Sequence, residues 1–217
     1  MNQPIRIALV DDHRIVRSGL ASILRSDNRF LVVQEAANGR ELIDGMDISH
    51  PHVVLLDLEM PVLSGREALT EIRAKENDVR VLILTMHQNK AFISQMMELG
   101  ANGYLVKDSE PEEVVKAIEK VHAVGFYFSD LVSMAMLHKI SAPQMKAPIL
   151  PEHGLTNREL DVLQLICQEK TTTEIGELLF LSPKTIEGYR KVLMEKVRAR
   201  NMAGLVLFAV RHGLIKA

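Results

Sequence analysis

Three carboxylates, a hydroxyl and an amine each stand at the downstream end of a short apolar run. Asp11 and Asp12 follow Ile5-Arg6-Ile7-Ala8-Leu9-Val10, and Asp57 follows Val53-Val54-Leu55-Leu56. Thr85 follows Val81-Leu82-Ile83-Leu84, and Lys107 follows Gly103-Tyr104-Leu105-Val106. Clustered carboxylates repel one another unless a dication neutralises them, and an all-oxygen ligand set with retained waters suits Mg2+. With such an ion bound, Asp57 is an oxygen nucleophile toward phosphorus. Lys107 and the metal offset charge on the transferring oxygens, and Thr85 can hydrogen-bond one of them. One polar residue at a strand end needs no explanation. Four strand ends in order do.

Those apolar runs, separated by helical stretches, read as buried parallel strands. In an open parallel sheet the crevice outside the carboxyl ends of the strands is the binding place. Helical spacing is expected over 13–26, 39–48, 64–75, 90–99 and 111–124, the last opening on Pro111. Five strands alternating with five helices, joined by right-handed crossovers, give a doubly wound sheet of flavodoxin-like order 2-1-3-4-5. A dinucleotide fold is excluded because Asp11-Asp12, not a glycine-rich loop, follows the first strand.

The chain has 217 residues, 47% hydrophobic, enough for one large or two small domains. The single cysteine, Cys167, forbids an intramolecular disulfide and suits a reducing compartment. Arg6, Asp11 and Asp12 interrupt any signal-peptide pattern, and no stretch has the length of a membrane span. A cytoplasmic protein with no membrane partner is expected.

Pro143, Pro148, Pro151 and Gly154 mark a linker, with the boundary near 141–152. The expected organisation is a first domain over 1–125, a helix and proline-containing linker over 126–152, and an all-α second domain over 153–217. Residues 129–140 are helix-like and either pack on the first domain or extend toward a partner. The second domain reads as four helices, over 157–168, 172–180, 183–199 and 202–212. Thr156 with Glu159 and Thr171 with Glu174 form capping boxes, Ser182-Pro183 is a strong start signal, and Gly213 is a stop. The short Leu181-Ser182 connection suits a helix-turn-helix, whose second helix enters the major groove. Residues 151–217 hold ten Lys or Arg against eight Asp or Glu, in a chain of net charge −2. That is not a strongly basic domain, and charge alone fits a solvated helix face.

Residues 1 to about 125 resemble the receiver domain of a bacterial two-component response regulator. The matching residues are Asp11-Asp12, Asp57 with Met60-Pro61 and Gly65, Thr85, and Tyr104-Leu105-Val106-Lys107. The resemblance implies that Asp57 accepts a phosphoryl group from a histidine kinase. It implies that Asp12, Asp57 and the backbone carbonyl of Glu59 bind Mg2+, with Asp11 reaching the metal largely through water. It further implies that Thr85 and Tyr104 shift on phosphorylation, Tyr104 rotating inward, and that a surface near the fourth helix and fifth strand is thereby biased toward homodimers. Thr85-Met86-His87 and Lys107-Asp108 resemble the NarL subgroup, with a trans bond expected before Asp108.

Residues 154–215 resemble the LuxR/NarL-type DNA-binding domain, through Leu155-Thr156, Arg158-Glu159, Val162-Leu163, Glu174-Ile175, Leu179, Ser182, Thr185-Ile186, Lys196 and Gly213-Leu214-Ile215. The resemblance implies contacts to double-stranded DNA from Thr172, Thr173, Ser182, Lys184, Thr185, Glu187, Gly188, Tyr189, Arg190 and Lys191, and makes RNA polymerase a further partner. The chain departs from the family pattern at Glu187, Tyr189, Thr173 and Met202, where the family often carries cations or histidine. Each lost cation weakens phosphate binding, whereas Glu187 can accept from cytosine N4.

The expected function is a DNA-binding response regulator controlled by Mg2+-dependent phosphorylation of Asp57, not a turnover enzyme. The alternative is a phosphorylation-controlled protein-docking module. A hydrolase using Asp57 as nucleophile and Glu59 as acid is disfavoured by the helix-turn-helix and by the missing aspartate at position 59. A generic α/β domain with an incidental polar crevice is disfavoured by the strand-end pattern.

Overall fold

The structure is a computed structural model that describes residues 3–75, 78–141 and 155–214, the side chains of 136–141 excepted. Strands β1 (Ile5–Val10), β2 (Phe30–Ala36), β3 (Val53–Leu56), β4 (Arg80–Thr85) and β5 (Gly103–Val106) alternate with α1 (Arg14–Arg25), α2 (Gly39–Ser49), α3 (Gly65–Ala74), α4 (Lys90–Leu99) and α5 (Pro111–Val124). The sheet order is β2-β1-β3-β4-β5, every neighbouring pair parallel, as the sequence implies. Side chains alternate between two apolar layers. Ile7, Leu9, Leu55, Leu84 and Leu105 face one side, with residues of α1 and α5. Ala8, Val10, Val54, Leu56 and Ile83 face the other, with α2, α3 and α4. Only β2 lacks a clean apolar run. It lies at the sheet edge, and Gln34 and Glu35 interrupt it. An edge strand has less surface to bury, so its hydrophobic signature is weaker.

Caps fix where the helices begin. Asn38 accepts from the Glu41 amide at the start of α2, and Ser64 with Glu67 closes a capping box on α3. Pro111 occupies the first turn of α5, where its missing N–H costs nothing. The Lys107–Asp108 bond is trans.

Helix α6 (Asp130–Ser141) settles the question left by the 129–140 stretch: it packs back on the receiver. Val132 and Ala135 are buried, and Ser94 of α4 donates to the Ala135 carbonyl at 3.3 Å. The Ser129 hydroxyl donates to the carbonyl of Tyr104. The α4 and β5 surface expected to form dimers is therefore covered in part by α6. The linker placed at 141–152 and the match at Ile215 lie outside the described residues, apart from Ser141.

The carboxyl-terminal helices are α7 (Asn157–Cys167), α8 (Thr172–Leu179), α9 (Pro183–Val197) and α10 (Met202–Arg211). Both expected capping boxes are present, and the Ser182 hydroxyl accepts from the Thr185 amide. Helix α9 stops at Val197, short of the expected 199, because Arg198 turns left-handed with φ 56°. Cys167 is half-buried, and burial pushes its thiol up to about 12, the behaviour of an inert packed thiol. No helix among the described residues is long and apolar enough to cross a membrane.

The helical domain is docked on the receiver. Asn201, itself buried, donates to the carbonyls of Gly100 and Ala101 at 2.5 and 3.1 Å, and Arg200 donates to that of Leu99 at 3.2 Å. These carbonyls lie at and just beyond the end of α4, where donors are favoured, and Arg73 Nε also donates to that of Gly100 at 2.9 Å. Arg211–Glu98 (2.6 Å) and Lys120–Glu169 (2.5 Å) flank the junction.

Candidate phosphoacceptor site and nucleic-acid interface

Backbone register assembles the crevice. Val10 pairs with Leu56, so Asp11 and Asp57 emerge side by side, and the Asp57 amide donates to the Val10 carbonyl at 2.9 Å. On the other side Thr85 pairs with Val106, and the Lys107 amide donates to the Thr85 carbonyl at 2.9 Å. Helix α3 begins directly against β3. A Cβ on Gly65 would lie 1.9 Å from the carbonyl oxygen of Asp57, so any side chain there would displace the end of β3.

Lys107 Nζ bridges Asp11 Oδ2 at 2.7 Å and Asp57 Oδ2 at 2.8 Å, with all three side chains under a tenth exposed. Asp57 Oδ1 accepts from the Leu58 amide at 2.8 Å. Burial pushes the Asp57 carboxyl above its ordinary value, opposed by the Lys107 ammonium. Burial also works against the Lys107 ammonium, yet its bonds to Asp11 and Asp57 raise it above its ordinary value. The cluster is thus an ion triad with one more negative than positive charge. Asp12 is partly exposed at its rim. Carboxylates of Asp11, Asp12 and Asp57, together with a ring nitrogen of His13, lie within 4.8 Å of one another. The three carboxylates fit a hard dication, which would supply the missing positive charge.

Thr85 is buried at the end of β4, as the sequence places it. Tyr104 is fully buried, and its hydroxyl donates to the His87 carbonyl at 2.8 Å. The ring expected to rotate inward is already inward. Glu59 is exposed, and its side chain pairs with His87 Nε2 at 2.8 Å, linking the two loops that flank the crevice. From the sequence, His87, His13 and Arg17 were assigned no site role. Arg17 donates from Nη1 to the Asp11 carbonyl and so braces the loop that carries the acidic pair. His13 had a legible signal, its adjacency to Asp11-Asp12. Arg17 had none, since only the turn of α1 brings it back.

Among the residues expected to touch DNA, Thr173, Ser182, Lys184, Thr185, Glu187, Gly188 and Lys191 are exposed, and Thr172, Tyr189 and Arg190 are half-buried. Arg190 is committed elsewhere. Nη1 donates to the Thr172 hydroxyl at 2.5 Å, Nη2 to the Val124 carbonyl at 2.6 Å, and Nε approaches Met202 Sδ at 3.2 Å. Burial, then Arg80, holds its guanidinium below the ordinary value, with Glu187 opposing. Met202, one of the departures from the family pattern, is a buried junction residue here.

Residues 7–119 match the family model described as the response regulator receiver domain, and residues 153–209 match that of bacterial regulatory proteins of the luxR family. The chain belongs to the response regulators in which a receiver domain precedes a luxR-family DNA-binding domain. It is 35% identical to the response regulator UvrY of Escherichia coli K12 over 214 residues, 98% of this chain and 97% of that protein. It is 32% identical to the response regulator GacA of Pseudomonas aeruginosa over 213 residues, 98% and 99% of the two chains. Among solved structures, that of two RcsB dimers bound to two parallel DNAs matches with TM-score 0.58 and 27% identity, covering 96% of this chain and 98% of that one. A LuxR-family response regulator from Aurantimonas sp. SI85-9A1 matches with TM-score 0.58 and 36% identity, covering 63% and 97%.

Proposed function

We propose that this protein is a cytoplasmic transcription regulator in which a histidine kinase phosphorylates Asp57, and that this modification sets dimerisation and access of α9 to double-stranded DNA. We place the receiver at 1–125, the connecting helix and linker at 126–152 and the DNA-binding domain at 153–217. The observation that carries the reading is the Lys107 ammonium, just past β5, held between Asp11 and Asp57 at the carboxyl ends of β1 and β3.

Asp12, Asp57 and the Glu59 carbonyl would hold Mg2+, with Asp11 beside them. Such an ion would supply positive charge to the crevice and to the incoming phosphoryl oxygens. An oxygen of Asp57 attacks phosphorus in line. The new O–P bond forms as the P–N bond of the donor phosphohistidine breaks, and the electron pair stays on the imidazole nitrogen, which takes up a proton. Lys107, already at 2.8 Å from Asp57, moves its hydrogen bond to a phosphoryl oxygen, and the Thr85 hydroxyl supplies another. Asp57 is modified and not turned over, so this is a switch and not an enzyme in the usual sense. The match of 153–209 to the luxR family favours DNA over protein docking as the output.

The test is beryllofluoride binding with Mg2+, followed by DNA affinity for a genomic fragment that the protein protects. Saturable binding with raised DNA affinity is expected. No binding, or the same affinity in both forms, rejects the reading.

A further inference from the structure

We propose that the receiver crevice takes a transition-metal dication through His13, with Nδ1 as a nitrogen ligand beside the carboxylates. The inference rests on the metal-site reading above and extends it to a residue and a class of ion. His13 stands at the start of α1, where a side chain ordinarily caps the helix, yet it makes no capping bond. Its ring is turned instead toward the acidic pair, Nδ1 lying 2.8 Å from Asp12 Oδ1 and 3.3 Å from Asp11 Oδ1. The His13 amide donates to Asp11 Oδ1 at 2.8 Å, which ties the backbone of His13 to the carboxylate its ring faces.

A simple surface ion pair accounts for one of these contacts and contributes little. It does not account for the convergence of four donors from two strand ends. Metal ligands sit about 2.0–2.2 Å from such an ion, so donors around one centre are separated by roughly 3–4.4 Å. The donors here lie within 4.8 Å of one another, close to that span before any side chain adjusts. The His13 ring is about two-thirds exposed, so it can turn without disturbing the core. Imidazole is a poor ligand for Mg2+ and a good one for Ni2+, Co2+ or Zn2+, whose affinities rise along the first row. His13 therefore makes the crevice discriminate between two classes of dication that compete for the same carboxylates.

The experiment titrates the full chain with Mg2+ alone and with Ni2+ alone, in wild type and His13→Ala, by calorimetry. Wild type is expected to bind Ni2+ more tightly than Mg2+. The substitution should weaken Ni2+ by about tenfold or more, with a change for Mg2+ several times smaller. Electron spin-echo modulation of bound Mn2+ should show nitrogen coupling that disappears in His13→Ala. Equal losses for both ions would make His13 a prop for the loop and overturn the proposal, as would unchanged Ni2+ affinity. Wild type binding Mg2+ normally while showing no Ni2+ preference overturns this inference alone. Wild type binding neither ion overturns the metal-site reading with it.

Discussion

Arg190 of α9 donates to the carbonyl of Val124, the last residue of α5, at 2.6 Å. One guanidinium thus belongs at once to the helix expected in the major groove and to the free carbonyl end of a receiver helix. The docked arrangement and a phosphate contact from Arg190 exclude each other.

Gly125→Ala should loosen this docking. Gly125 adopts φ +96°, which a non-glycine residue enters only at a cost, and an added Cβ would lie 2.7 Å from Met202 Cγ across the junction. The two effects together are of order 1–3 kcal/mol against the docked form. Small-angle scattering should show a larger radius of gyration without phosphorylation, and limited proteolysis should cut 142–154 faster. An unchanged radius with the fold retained would show that the junction tolerates the side chain.

Asp57→Asn should abolish modification while leaving the receiver folded. The amide is isosteric but no longer an anionic nucleophile, and it removes one of the two carboxylates on Lys107. Incubation with acetyl phosphate and Mg2+, read by a phosphate-retarding gel, checks this. Modification at the wild-type level would exclude Asp57 as the acceptor.

Glu187 is exposed on α9, so its effect on DNA can be isolated from packing. Glu187→Lys should raise non-specific affinity and steepen the dependence of log affinity on log salt by about one to two units, at roughly 0.9 per added phosphate contact. Binding isotherms at several salt concentrations measure the slope. A slope that does not move would place Glu187 away from the phosphates.

Acidification below about pH 6.5 should destabilise the receiver through His52 and His122. Burial, then neighbouring cations, lowers both from 6.5: Arg6 and Arg80 for His52, Arg80 and His52 for His122. Their rings stand 5.4 Å apart, and His52 Nδ1 accepts from the Arg6 amide, which requires that nitrogen unprotonated. The fold prefers both neutral. Their contribution is complete above 6.5 and lost as pH falls through the lowered folded values, because the unfolded chain then binds protons more readily. Thermal melts across that range should show a falling midpoint, flattened in the His52→Gln, His122→Gln double variant. An equally steep wild-type and double-variant profile would assign the acid sensitivity to other groups.

Most of the receiver was legible in the sequence because its signals are local and repeated. Strands buried on both faces must be continuously apolar, so Val53–Leu56 and Val81–Leu84 announce themselves, and the polar residue ending each run marks the crevice. Capping boxes such as Thr156 with Glu159 are written within four residues. The edge strand Phe30–Ala36 was faint because Gln34 and Glu35 interrupt it and, within it, just Phe30 and Ala36 at its ends are buried. What no local pattern encodes is contact between distant elements. Lys107 reaches Asp11 because β1, β3, β4 and β5 pair in one particular register, and Tyr104 is buried because helices close over its face. Arg190 meets Val124 across 66 residues of chain because two domains share a junction. The sequence by itself determined which groups this protein carries and on which elements. Tertiary packing decided that α6 covers α4 and that Arg190 is tied to the end of α5, because such contacts depend on apolar surfaces meeting across the whole fold.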